Sequence, residues 1–278
     1  MDADRNYACI REPNSLYSPM REMSLQRPAR NVLKQAAALG KKKFRDAEQR
    51  VLVEGILPLE EALKSTFRIR EIFVLGELFR SGRLPALPDS VREGGDIPLY
   101  EVTAQELKRL SCEQSPQGVV AVAEKKRYYP AQLRGNILVL DRIRDPGNAG
   151  TLFRLAHWFG LGGIVMMKGS VDAGNPKVIR ASMGSFFHVP YCELQELPEE
   201  LLDGRELLLS KAHGGTDISR IKSDRPPDFM LVIGNESRGV SAELGRYAHR
   251  DITLPSLGGA ESLNAATAAA AILAQLLY

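Results

Sequence analysis

The sequence predicts an α/β protein with a mainly parallel sheet in its C-terminal half, preceded by a smaller α/β unit. Three observations carry this. Apolar runs of strand length recur at Ile137–Leu140, Ile164–Met167, His188–Tyr191, Glu206–Leu209, Phe229–Ile233 and Ile252–Leu254, with helical stretches between several of them. Such strands, near-continuous in apolar residues and separated by helices, mark a parallel sheet buried on both faces. In the first half, shorter strand candidates alternate with helices. Finally, Ile137–Leu140 runs into Asp141 to Gly160, which reads as strand, turn and helix.

Residues 1–22 are polar, contain Pro13 and Pro19 and lack periodicity, which predicts a flexible leader. Residues 23–124 make the first unit. Asn31 to Leu39 has helical spacing and is stopped by Gly40. Lys41-Lys42-Lys43-Phe44-Arg45 sets four cations around one aromatic. It reads equally as a site for a phosphate backbone with a stacked base or as a solubilising loop. Val51–Val53 is a strand, and Glu54-Gly55 turns into a helix carrying Leu57, Leu59, Ala62 and Leu63. Ile72–Leu75 and Leu99–Val102 are the next strands. Thr103 is placed to cap a helix over Ala104–Leu110, with Glu106 at the capping-box position. Gly118–Ala123 is a fourth strand. Residues 125–135 connect the halves through the basic and aromatic Lys125–Pro130. A solvated connection is the commoner reading of such a segment, and contact with nucleic acid the other. Residues 136–278 make the second unit.

Three stretches of that unit carry polar groups where chemistry is expected. In the first, Asp145-Pro146-Gly147-Asn148 is a turn by composition. It lies at the carboxyl end of a strand, the edge where open α/β sheets bind ligands. Leu152, Leu155, Ala156 and Phe159 form the apolar stripe of the following helix. Arg154 shares the opposite face with Gly150 and His157, where an isolated arginine is ordinarily just solvated. In the second, the buried strand Leu231–Ile233 enters a polar loop bounded by Gly234 and Gly239. Gly234 lets a ligand approach the backbone. Glu236 either orients a polar group or faces water. In the third, a strand ends at Pro255, Gly258-Gly259 follows, and a helix begins near Ser262, which is placed to cap it, with Asn264 close by. The helix Ala265–Leu277 is rich in small residues, which suits packing in a core or against a partner subunit.

Composition narrows the classes. The 278 residues are 44% hydrophobic and 26% charged, with a formal net charge of +3, as in an ordinary globular chain of about two domains. Cys9, Cys112 and Cys192 stand far apart, which fits reduced thiols and a cytoplasmic protein. No signal peptide is evident, and Ala265–Tyr278 is too short to span a membrane. There is no GxxxxGK[ST] loop and no HExxH, and Phe159–Gly163 is not a GxGxxG opening a helix. His157, His188, His213 and His249 lack metal-ligand spacing, so no metal is expected.

Taken together and in order, the three stretches resemble the SpoU (TrmH-type) RNA ribose 2′-O-methyltransferases of the SPOUT superfamily. Asn148, Gly150, Arg154, Ala156, Phe159 and Gly160 match the first family motif. Gly234, Asn235, Glu236 and Gly239 match the second, and Leu254, Pro255, Ser262, Leu263 and Asn264 the third. Asn175 to Ser185 is similar to the family's linking segment. The first unit resembles, more loosely, the family's L30e-like substrate-binding domain through Lys41–Arg45 and Glu54-Gly55.

The resemblance implies a C-terminal domain tied as a deep trefoil knot, S-adenosylmethionine as cofactor and a homodimer joined through the C-terminal domain. It implies transfer of a methyl group to a ribose 2′-hydroxyl, in ribosomal RNA first and transfer RNA as the alternative. DNA is not a substrate, because it lacks that hydroxyl. By the same token Arg154, Asn148, Glu236, Ser262 and Asn264 are the expected catalytic group. Leu209, Gly214, Ile233, Gly234, Asn235, Leu254, Ser262 and Leu263 are the expected cofactor wall. Arg27, Arg30, Lys41, Lys42, Lys43 and Arg45 are the expected RNA contacts. A catalytically silent RNA-binding or ribosome-assembly factor with the same fold is the other class of reading.

Overall fold

Strands rich in Val, Ile and Leu set up two sheets. The computed structural model describes residues 25–85, 87, 91, 96–223, 228–259 and 261–278, so the expected leader lies outside the described residues. The first sheet holds β1 (Arg50–Glu54), β2 (Ile69–Leu75), β3 (Leu99–Val102) and β4 (Val119–Glu124), in the order β1-β4-β2-β3. β4 pairs antiparallel with β1 and β2, and β2 pairs parallel with β3. Around it lie α1 (Arg30–Ala38), α2 (Lys42–Glu48), α3 (Ile56–Lys64), α4 (Gly76–Arg80) and α5 (Ala104–Leu110). The capping box forms: the Glu106 amide donates to Thr103 Oγ1 at 3.2 Å, and the Thr103 amide donates to Glu106 Oε2 at 2.8 Å. Such a cap stabilises a helix by about 1 kcal/mol.

The second sheet is parallel at every pairing of its named strands. It holds β5 (Ile137–Leu140), β6 (Gly163–Met167), β7 (Tyr191–Leu194), β8 (Glu206–Lys211), β9 (Thr216–Asp217), β10 (Phe229–Ile233) and β11 (Arg250–Thr253). Their order is β7-β6-β5-β10-β8-β11-β9. β5, β6 and β10 are buried along their whole length, as a sheet covered on both faces requires. The covering helices include α6 (Pro146–Trp158), α7 (Pro176–Ala181), α8 (Glu199–Leu202) and α9 (Ala265–Leu277). One expected strand moves. Ser185–Phe187 forms a 3-10 turn, His188 follows it, and β7 starts only at Tyr191. Phe186 and Phe187 are drawn into the core, and Pro190 has no amide to give the ladder.

The two sheets are clasped together. Phe67 packs on Phe186 and Phe187, with ring centroids 5.6 and 5.1 Å apart. Arg180 Nη1 lies 3.1 Å from Glu54, and its Nε lies 2.6 Å from Glu113. The deepest tie corrects an expectation. Arg45 is not in a basic loop facing RNA. It sits in α2, is 2% exposed, and its guanidinium donates to Asp172 Oδ2 at 2.9 and 2.5 Å and to the Leu39 carbonyl at 2.8 Å. All its fork is spent inside the protein, because one turn of helix points it inward while Lys41, Lys42 and Lys43 stay exposed.

Burial alone would raise the Asp172 carboxyl, but the hydrogen bond and charge of Arg45, with Lys125 and Lys42, hold it below the ordinary carboxylate value. Its stabilising contribution is therefore full above that ordinary value and disappears as pH falls through the lowered one. Replacing Asp172 by Ala leaves a buried guanidinium unpaired. We expect a loss of about 3–5 kcal/mol in denaturant unfolding at neutral pH, and a smaller difference from wild type in the acid range.

Candidate active site

Chain order reverses across β5 and β10. From β5 the chain proceeds outward to β6 and β7, then returns to the far side of β10 for β8. The carboxyl ends of β5 and β10 therefore open a crevice at a topological switch point, where such sheets hold ligands. On one side of it α6 begins. Asp145 caps that helix by accepting the Asn148 amide at 2.8 Å, and Pro146 occupies its first position. The expected four-residue turn is thus the helix's first turn, and Asn148 belongs to the helix. Gly150 is buried rather than on the solvent face. A Cβ there would stand 2.6 Å from the Val178 carbonyl oxygen, so glycine is what lets α6 and α7 close on each other.

On the other side, the loop after β10 folds on itself. Asn235 and Gly239 exchange backbone hydrogen bonds at 3.1 and 2.8 Å. The Asn235 side-chain oxygen accepts from the Ser237 and Arg238 amides, and its nitrogen donates to the Arg142 carbonyl at 3.1 Å. A Cβ on Gly234 would meet the Gly239 carbonyl carbon at 2.3 Å, which forbids any other residue in this closed loop. Asp141, 2% exposed, pins the far end by accepting the Ser241 amide at 2.6 Å. Sequence reasoning did not single out Asp141 or Ser241. Only the polar residue directly after an apolar strand hinted at the first, and nothing marked the second.

The three motif stretches then meet at one side chain. Asn148 Nδ2 donates to Glu236 Oε1 at 2.7 Å, and Asn264 Nδ2 donates to Asn148 Oδ1 at 2.8 Å. Asn148 is partly buried, whereas Glu236 and Asn264 are exposed and available to a ligand. Asn264 also caps α9, accepting from the Ala266 and Thr267 amides at 2.9 and 3.3 Å. This replaces the expected Ser262 cap: Ser262 is exposed two residues upstream, and the helix starts at Ala265.

Of the expected cofactor wall, Gly214, Leu254 and Leu263 lie in the loops at this edge, with Leu263 half-exposed. Leu209 and Ile233 are 2% exposed and form the sheet beneath. Arg154 is exposed, but it is not joined to the Asn148 group. Six residues along a helix amount to about 9 Å of rise and about 120° of rotation from Asn148. Arg154 instead lines a hollow of about 590 Å³ with Thr151, Leu155, His157, Trp158 and Ser185. His157 there contacts Ser185 Oγ at 3.2 Å and stacks on His188, which reaches Glu61 of the first unit at 2.9 Å.

Among the expected RNA contacts, Arg30, Lys41, Lys42 and Lys43 are exposed. Arg27 is exposed but bonds the Glu101 carbonyl at 2.9 Å and pairs with Glu106 at 3.2 Å. Lys42 shares its charge with Asp46 at 3.4 Å. Among the described residues, no cluster of His, Cys, Asp or Glu is placed to hold a metal, and no helix is long and apolar enough to cross a membrane.

A polar relay at the switch point of a parallel sheet, with a second α/β unit clasped beside it, defines a two-unit α/β protein of the class that holds ligands at this edge. The chain belongs to the SpoU rRNA Methylase family, whose pattern matches residues 135–274, while residues 30–121 match an MRM3-like substrate binding domain. It is 32% identical over 238 residues to the 23S rRNA (guanosine(2553)-2'-O)-methyltransferase RlmP of Bacillus subtilis, covering 84% of this chain and 91% of that one. It is 27% identical over 267 residues to a 23S rRNA (uridine(2479)-2'-O)-methyltransferase of Streptomyces viridochromogenes, covering 85% of each. Among solved structures, it resembles a TrmH-family putative RNA methyltransferase from Porphyromonas gingivalis, with a TM-score of 0.78 at 28% identity over 90% of this chain and 98% of that one. It likewise resembles the SpoU methyltransferase AviRb from Streptomyces viridochromogenes in complex with AdoMet, with a TM-score of 0.75 at 27% identity over 90% and 97% of the chains.

The double duty of Asn264 can be separated. Asn264→Asp keeps the oxygen that caps α9 and removes the nitrogen that holds Asn148, whereas Asn264→Ala removes both. Thermal unfolding should show a loss of about 1 kcal/mol for Ala and much less for Asp. Equal losses would mean that the cap is not what the side chain contributes to stability.

Proposed function

We propose that this protein transfers a methyl group from S-adenosylmethionine to the 2′-hydroxyl of a ribose in ribosomal RNA, in the cytoplasm and as a homodimer. The observation that carries this reading is the Glu236–Asn148–Asn264 relay at the switch point of the sheet. A catalytically silent RNA-binding factor would have no need of it.

The residues present fit the cofactor. The loops after β8, β10 and β11 follow adjacent strands, so they form one continuous rim. Thr253 Oγ1, at the end of β11, holds the loop after β8 by donating to the Ala212 carbonyl at 3.1 Å. The glycine at 234 and the exposed apolar surface of Leu257 and Leu263 suit a bound adenosyl group held mainly by backbone atoms. Gly214, Gly234, Asn235, Leu254, Ser262 and Leu263 would hold it, over Leu209 and Ile233. When bound, S-adenosylmethionine supplies an electrophilic methyl group. The knotted tail expected of the superfamily is part of the proposal. It is supported by α9 packing against both α6 and the 3-10 turn Ile218–Ser223.

Catalysis requires that the ribose be held in line and that its oxygen lose a proton. Asn148 and Asn264 offer amides, and Glu236 a carboxylate, to orient the ribose hydroxyls. A guanidinium is a donor of hydrogen bonds and not an acceptor, so Arg154 is assigned no general-base role. Its guanidinium binds the neighbouring phosphate and stabilises the negative charge that develops on the oxygen. Its distance from its own chain's relay supports a dimer in which it serves the partner's site. The N-terminal unit, L30e-like and spanning residues 23–124, selects the RNA through Arg27, Arg30 and Lys41–Lys43.

Four measurements test this. Calorimetry with S-adenosylmethionine, followed by tritium transfer onto ribosomal and transfer RNA, should show binding and labelling of the former. Binding without labelling of either RNA would overturn the proposed activity. Arg154→Lys should lower turnover by about a hundredfold with cofactor affinity unchanged. Mixing Arg154→Ala with Asn264→Ala chains should restore turnover that neither shows alone, and no restoration would remove the shared site. Replacing Lys41, Lys42 and Lys43 together by Ala should weaken RNA binding and flatten its salt dependence. An unchanged salt slope would leave those lysines as ordinary surface.

A further inference from the structure

The segment joining the two sheets holds chemistry that the methyl-transfer site does not use. Its first cation is spent: Lys125 Nζ lies 3.3 Å from Glu193, 3.6 Å from Asp172 and 3.4 Å from Asp46. The next, Lys126, donates to Thr66 Oγ1 and stands 5.1 Å from the centroid of the Phe67 ring, and only the residues after it differ. Arg127 lays its guanidinium over the Tyr129 ring, 5.4 Å from the centroid, and both side chains are exposed, Tyr129 by 55%. Among the described residues Arg127 has no carboxylate partner. A cation stacked on an aromatic, both open to solvent, is the surface on which nucleic-acid bases stack.

This pair stands at the mouth of a hollow of about 440 Å³ between the segment and β7, the outer strand of the seven-stranded sheet. That is within the range of small-ligand pockets, about 300–1,000 Å³. Lys125, Lys126 and Arg127 line it against a single carboxylate, Glu193. Tyr191 also lines it. Its side chain is 3% exposed, and its hydroxyl has no hydrogen-bond partner, an uncommon and costly state for a buried polar atom. Burial holds that hydroxyl well above the usual phenol value, so it remains a donor across the neutral range. Gln49, the C-cap of α2, is part of the hollow's wall, and Lys42 of that helix lies 3.8 Å from Glu193, another wall residue.

We propose that this hollow is a second RNA subsite, taking one unpaired nucleotide of the substrate outside the methyl-transfer crevice. The base stacks on the Tyr129–Arg127 platform, and the phosphate meets Arg127. The subsite would fix the RNA at the joint between the two units, so that selection and chemistry share one frame. This rests on the reading of the protein as an RNA methyltransferase.

The probe is a fluorescein-labelled single-stranded oligoribonucleotide of about ten nucleotides, followed by anisotropy with the full-length protein. Arg127→Ala and Tyr129→Ala should each weaken binding by about tenfold, and Tyr129→Phe should leave it near wild type. A version carrying 4-thiouridine should cross-link to the peptide spanning residues 125–130. Unchanged affinity in Tyr129→Ala, or loss in Arg127→Ala alone, would overturn the subsite and leave plain charge attraction. Cofactor calorimetry and tritium transfer by the wild type are read in parallel. Failure there with the tyrosine effect intact would count against the methyl-transfer reading and not against the subsite.

Discussion

The pairing of β5 with β10 is the constraint from which the rest follows. Leu138, Val139 and Leu140 lie in register with Leu231, Val232 and Ile233, and all six are buried. Segments some ninety residues apart are thereby fixed side by side in the middle of the sheet. A slip by one residue would exchange the two faces of the strand and misfit the side chains packed on each of them. The loops that leave these strands are consequently placed as accurately as the sheet itself, and Asn148 comes within hydrogen-bonding distance of Glu236 with no further adjustment.

Rigidity at the crevice is then built from backbone rather than from long side chains. Asn235 closes its own loop, Asp141 anchors the far end, and the methyl-free Gly234 allows the strands of that loop to touch. A site that must align an oxygen, a methyl carbon and a sulfur benefits from such construction, because small displacements of reacting groups cost much of the rate. The same logic extends outward. A buried ion pair at Arg45, a partly buried one at Arg180 and the Phe67–Phe186–Phe187 contact make the first unit part of the same framework. RNA held by that unit would therefore be presented to the crevice at a fixed distance.

Much of this was legible in the residues. The apolar runs of Ile137–Leu140 and Phe229–Ile233 coincide with β5 and β10, and the Thr103 capping box forms as its spacing requires. These features are local, and propensity and periodicity report on local structure. Errors arose where a distant partner decided. Arg45 reads as one more surface cation, yet Asp172, 127 residues away, draws it inside. His188 reads as strand, yet the phenylalanines before it are claimed by the core and the ladder begins at Tyr191. Ser262 is an excellent cap by type, but the helix starts later and Asn264 takes the role.

The sequence by itself determined the class of sheet, the elements along the chain and the three polar stretches, because strand burial, capping and turn chemistry depend on near neighbours. Only the tertiary structure decided that Asn148 bridges the other two stretches, that Arg154 stands apart from them, and that the joint between the units stacks an exposed arginine on an exposed tyrosine over a basic hollow. Each of those facts depends on distances between residues far apart in sequence, and such distances are set by how the sheet orders its strands.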